Sequence, residues 1–269
     1  MGKLMRNFLT VVVVSLLTAV VSGQAVANEE AAAREAIDIY RTAQSLGDAE
    51  RRREAFTRAA NAFTELGDAQ TSRGASSAEA LANSGTAYLQ AEQTGQAVLA
   101  FRRALLLQPR HHRSRKTLAE LRAALPAWVP APAPTPDDSF FRWHQESTQQ
   151  EREITMLVAF WLAAVIGALG IAFGITWLIW SSAVPAVVFV GALTSAMATY
   201  LAEDKMQGVI TEPDSVARTA DSRNASSRFV EPLPEGTEVS VEEMREFWTR
   251  VRLADGTTAW VRRGAVTPL

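Results

Sequence analysis

Three histidines and no cysteine leave this chain of 269 residues few side chains able to attack a substrate, move a proton near neutrality or hold a transition metal. His111 and His112 are adjacent, so a helix would point them to different sides, and neither has a helical i, i+4 mate; no metal site is assigned. The sequence contains no P-loop, no G-x-S-x-G and no H-E-x-x-H, and the three histidines make no triad, so it reads as non-enzymatic and without a cofactor. What remains are groups that recognise rather than react. Arg102, Arg103, Arg110, Arg113, Arg115, Lys116 and Arg122 form a basic run around the two adjacent histidines, suited to an acidic partner, to anionic lipid headgroups or to plain solvation. Trp248 and Arg250 alternate with Val251 and Leu253, which puts the tryptophan on the polar face of a strand, either as a binding aromatic or as rim packing. With Trp260 they make a candidate surface.

The positioning elements are a mosaic. A net charge of -2 gives no pull toward nucleic acid. Lys3 and Arg6 precede the apolar run Phe8 to Val21, and Ala25-Val26-Ala27 supplies the small residues of a cleavage site. Residues 1–27 therefore read as an export signal, and the chain from Asn28 onward is expected outside the cytoplasm. No charge occurs between Glu153 and Glu203. As one helix that stretch would be roughly 73 Å long, more than twice a ~30 Å hydrocarbon core. It is therefore expected to be a transmembrane hairpin over 154–202, with spans near 156–179 and 185–201 and a turn at Trp180 to Pro185. Phe140, Phe141, Trp143, Trp177 and Trp180 fit the headgroup level. Ala163, Gly167, Gly170 and Gly174 face candidate partners Gly191, Ala192, Ser195 and Ala196, for packing within the hairpin or for dimerisation through Gly170 and Gly174. Neither span contains an ionisable group, so the hairpin reads as an anchor with no transport chemistry. Arg142, Arg152 and Lys205 favour a cytoplasmic location for the flanks, but an amino-terminal topogenic segment usually dominates, which places both soluble regions on the extracytoplasmic side of a bacterial inner membrane.

Residues 28–125 are helical in pattern, with breaks expected at Gly47-Asp48, Gly67-Asp68 and 71–77. Ala59 and Phe63 recur as Ala97 and Phe101. Leu81, Gly85, Ala87 and Tyr88, followed by Ala97, Phe101, Ala104 and Pro109, resemble a tetratricopeptide repeat, with a departure at Ser84 where that family prefers a large apolar residue. The resemblance implies a peptide-receiving groove on the first helix, which by position takes Asn83, Thr86 and Gln90; a solvated polar face is the alternative. Arg113 to Leu125 is expected to be a capping helix. A Pro-rich linker comes next over 126–139, then a juxtamembrane helix over 140–153 with Ser139 as its cap.

Beyond the hairpin, residues 207–269 switch to β-rich runs at 208–211, 215–219, 229–233, 238–242, 247–253 and 258–261, an all-β pattern suited to a small barrel. Pro234-Glu235-Gly236-Thr237, Trp248, Val251, Leu253, Asp255-Gly256 and Trp260-Val261 look like the closing pattern of a bacterial SH3 domain. The family's Arg-x-Gly-Pro-Ser loop stands here as Arg218-Thr219-Ala220-Asp221-Ser222. The order of parts resembles the BatE family of Bacteroides-aerotolerance operon proteins. That resemblance implies a bacterial envelope protein acting beside von Willebrand factor A-type membrane proteins and a MoxR-type ATPase in an aerotolerance or stress-related system. Two classes of function stay open: a membrane-anchored scaffold that recruits envelope proteins, and a binder of peptidoglycan peptides through the SH3-like region.

Overall fold

The computed structural model describes residues 27–74, 77–130, 132, 147–202 and 206–269. The export segment 1–26, most of the Pro-rich linker beyond Pro132 and the juxtamembrane residues 140–146 lie outside the described residues. The chain forms two compact units, one ending at Gln93 and the other beginning at Thr94.

The first unit contains helices α1 (27–45), α2 (Ala49–Ser72) and α3 (Ala78–Gln90). Asp48 starts α2 by accepting the Arg51 N–H at 2.8 Å, which satisfies one of the donors a helix leaves open at its start. The three helices meet through alanine: Ala43, Ala55 and Ala91 pack with Phe56, and Ala59, Ala60 and Ala87 pack with Tyr40 and Tyr88. The Tyr40 and Phe56 rings meet edge-on at 5.2 Å. No break occurs at Gly67-Asp68, because α2 runs through it without interruption. Gly67 instead gives α3 room: a Cβ there would lie 2.9 Å from Leu81. Ser84 is fully buried beside Thr64, hydroxyl to hydroxyl at 2.7 Å. Thr64 gives its proton to the Ala60 carbonyl, so Ser84 is the donor between them. A large apolar side chain at 84 would leave no space for that bond.

In the second unit, α4 (Thr94–Leu107) and α5 (His112–Ala124) precede the charge-free stretch. That stretch forms α6 (Gln149–Phe173), the short α7 (Thr176–Ser181) and α8 (Ala183–Ala202). Thr148, not Ser139, caps α6, in a reciprocal capping box with Glu151. The chain reverses at Gly174, earlier than the expected turn at Trp180 to Pro185, because Gly174 takes the left-handed conformation that ends α6. Pro185 lies in the first turn of α8, where its missing N–H is harmless. Gly174 therefore ends the helix instead of packing on a partner, while Gly170 packs within the hairpin. A Cβ on Gly170 would lie 2.7 Å from the Ile179 side chain and 2.9 Å from its backbone nitrogen, so this glycine admits the returning chain. Ala159, Gly170, Ala192 and Ser195 are buried in the hairpin interior.

Residues 206–269 form a five-stranded antiparallel sheet: β1 (Met206–Ile210), β2 (Glu238–Met244), β3 (Trp248–Arg252), β4 (Thr258–Arg262) and β5 (Val266–Pro268). The strand order is β4-β3-β2-β1-β5, an open sheet with β4 and β5 at its edges. The runs 215–219 and 229–233 are not strands and contribute only isolated bridges, Ser215 to Leu233 and Arg218 to Ser227 and Trp260. Pro213, Pro232 and Pro234 remove ladder donors from this region, and the serine-rich turn between the runs offers side-chain bonds in their place. β5 lies outside the runs expected from sequence. The Asp255-Gly256 hairpin is present, with Gly256 at φ +87 and the Asp255 carboxylate accepting the Thr257 N–H at 2.9 Å and its hydroxyl at 2.8 Å. Those bonds hold Asp255 below the usual carboxylate range.

The start of α4 abuts the end of β1. A Cβ on Gly95 would lie 2.7 Å from both the Ile210 carbonyl oxygen and the Thr211 Cα, and neither backbone atom can move aside cheaply. Gly95→Ala is thus expected to loosen the second unit, although helix propensity alone favours alanine by up to about 1 kcal/mol. Limited proteolysis of the detergent-solubilised chain reads the sign: faster cleavage within α4 and α5 is expected, and slower cleavage would contradict the close approach.

Candidate functional site

Polar groups gather along the seam where α4 and α5 meet the sheet. The first N–H groups of α4 have no partner within the helix, and a carboxylate from the sheet side supplies one. Glu235 accepts from Thr94 N and Gly95 N at 3.2 Å each, a negative charge placed where the helix dipole favours it. Its turn is held by Gly236 at φ +85, where a Cβ would come 3.3 Å from Val98. Val98, Leu99 and Leu118 then bury Val209 of β1, with Leu105, Leu121 and Leu269 around them.

Further along the seam, Arg122 grips Glu238 in a bidentate pair, with N to O distances of 2.8 to 3.2 Å. Arg102 donates to the side-chain oxygen of Gln207, while its Nε is buried with no acceptor. Burial pulls the Arg102 pKa below its ordinary value; Glu238 opposes that shift and Arg122 adds to it. A cavity of about 240 Å³ opens among Arg102, Arg122, Gln207, Glu238, Ser240 and Arg252. These groups offer ion pairing and hydrogen bonding, with no nucleophile beside a base. Among the described residues no three His, Asp or Glu side chains gather as a metal site.

No protein family, curated protein or solved structure matches this chain.

The sheet places Trp248 and Arg250 on its outer face, opposite buried Thr249 and Val251. Arg250 pairs with Glu242 at 3.2 Å. Trp260 is more enclosed: the Arg245 guanidinium lies 4.6 Å over its ring, and its backbone is bonded on both sides to Arg218. Arg245 is held in place by Glu243 and Asp221. On α3, Asn83 and Thr86 are half-buried and Gln90 is exposed, and the Thr86 hydroxyl is spent on the Ala82 carbonyl at 2.9 Å. Gly85 is buried and Tyr88 donates to Asn61 at 2.8 Å. Ala97, Phe101 and Ala104 on α4 are fully buried, and Pro109 lies in the turn after it. His111 caps α5, its Nδ1 accepting the Ser114 N–H at 3.3 Å, and so has a structural role.

Nothing in the local sequence marks Glu235 or Glu238 as seam residues. The available signal is the opposite charge of the basic run, since no acidic residue lies between Glu92 and Glu120. Within residues 126–130, expected as part of an extended spacer, Trp128 packs against the sheet. Trp128 lies on the sheet core beside Phe229, with its Nε1–H on Glu231 at 3.1 Å, and Val129 is buried.

Glu238→Gln removes the charge that Arg122 grips with both arms while leaving the shape unchanged. It is expected to destabilise the second unit by about 1–3 kcal/mol, read as a lower denaturation midpoint of the detergent-solubilised chain. An unchanged midpoint would make the pair a surface contact without structural weight.

Proposed function

We propose that this chain is a non-enzymatic, membrane-anchored interaction protein of the bacterial envelope. In this reading α6 and α7–α8 cross the bilayer as a hairpin, and the surfaces on α3 and β3 recruit partner proteins beside the membrane. Two helical segments, Gln150–Phe173 and Thr176–Met197, are long and apolar enough to cross a membrane. At 1.5 Å per residue each reaches about 33 Å or more, the thickness of a hydrocarbon core.

The exterior of the hairpin is the observation that carries the anchor reading. Its interior takes the small residues, while large apolar side chains point outward: Trp161 is 59% exposed, Phe173 71% and Trp180 75%. Soluble proteins rarely leave contiguous apolar surface of this extent in water, whereas lipid makes it favourable. The order of parts supports the BatE-like reading, with von Willebrand factor A-type membrane proteins and a MoxR-type ATPase as partner classes.

The chain is expected to stay with the membrane pellet after alkaline carbonate washing, and release would overturn the anchor. Photocrosslinkers at Gln90 and Trp248 of the full chain in native membranes are expected to capture discrete partners, with capture from Gln90 falling several-fold when Asn83 and Thr86 are changed to alanine. Capture that ignores those changes would contradict the α3 surface. Firm sedimentation of the solubilised chain with peptidoglycan would move the reading to wall binding.

A further inference from the structure

The strand register fixes which end of the sheet faces the apolar hairpin. Only residues 203–205 separate Ala202 of α8 from Met206 of β1, a reach of at most about 14 Å. Met206 pairs with Val241 and Val209 with Glu238, so β2 runs back toward the entry point of β1. The turn between β2 and β3 is therefore at the hairpin end of the sheet, and Arg262, paired with Trp248, is there too.

That turn carries apolar side chains in the open: Met244 is 46% exposed and Phe247 69%. α4 reaches the same end independently. Its first residues contact Glu235 and Ile210, Arg102 bonds Gln207, and the helix continues to Leu106, which is 60% exposed. Arg110 then pairs with Glu151 in the first turn of α6 at 3.3 Å. Arg113, Arg115 and Lys116 come next on exposed positions of α5, in the acid-free stretch between Glu92 and Glu120.

We infer that the β2–β3 turn and the α4–α5 turn together form a footprint that rests in the headgroup layer of an anionic membrane, with Phe247, Met244 and Leu106 dipping into it and the basic turn facing the phosphates. The occupant is lipid because both turns lie beside the hairpin's point of entry, their apolar side chains have no cover, and the charge of the α4–α5 turn is basic; Glu246 beside Phe247 is the acidic exception, and Glu243 is paired with Arg245. This inference rests on the anchor reading. It gives the basic run a lipid-facing role and seats the β2–β3 end of the sheet on the bilayer, with the β3–β4 turn in water, rather than leaving the sheet free on a tether.

The chain lacks cysteine, so single labels can be introduced into the full protein. Nitroxide labels at Phe247→Cys, Leu106→Cys, Ala254→Cys and Trp161→Cys are compared in vesicles of phosphatidylethanolamine and phosphatidylglycerol. Ala254 lies in the turn at the far end of the sheet and serves as the aqueous reference, and Trp161 reports the hairpin itself. Collisions with oxygen relative to a polar nickel complex are expected to be several-fold higher at 247 and 106 than at 254. An aqueous reading at 247 or 106, with 161 in lipid, overturns the footprint and leaves the anchor standing. An aqueous reading at 161 overturns both.

Discussion

A long charge-free segment that the described residues leave largely exposed is the constraint that organises this molecule. Between Glu153 and Glu203 the backbone must satisfy its own hydrogen bonds, which helices do, and must return, which Gly174 allows by ending α6 in the left-handed conformation. Close packing inside the hairpin falls to alanine, glycine and serine, and the large side chains are left outside. The hairpin is thus one element with both ends on one side. α5 precedes it and β1 comes after it, and the two belong to one compact unit.

That unit is held by a seam of four kinds of contact. Gly95 lets the first turn of α4 touch the β1 backbone, Glu235 closes the open end of the helix, and Val209 is buried by Val98, Leu99 and Leu118. The Arg122–Glu238 pair fixes the orientation of α5 with bidentate geometry. The Glu235 and Arg122 contacts join residues more than a hundred positions apart in sequence, across the intervening hairpin.

Much of the fold was legible because it derives from local chemistry. Charge absence located the apolar helices, Gly47-Asp48 marked a break between helices, Pro185 marked a helix start, and Asp255-Gly256 marked a hairpin. The misreadings have a common origin in glycine and proline, whose local meaning depends on what lies opposite. Gly67 looked like a helix break but provides clearance for Leu81; Gly174 looked like part of a packing stripe but ends α6. The runs around Val216 and Val230 have the β-branched look of strands, yet nearby prolines restrict them to single bridges. Burial alternates along β3, with Trp248 and Arg250 more open than Thr249 and Val251, because the strand is regular there. The seam was not legible, because a lone Glu235 or Glu238 carries no mark of a partner in a distant helix.

Topology decides the central claim most directly. Reporter fusions after residues 124, 174 and 269 sample the end of α5, the hairpin turn and the end of the sheet. Activity on the extracytoplasmic side from the 124 and 269 fusions, with the 174 fusion on the opposite side, is the predicted result. Fusions at 124 and 269 on opposite sides of the membrane would contradict both the hairpin and the unit it joins.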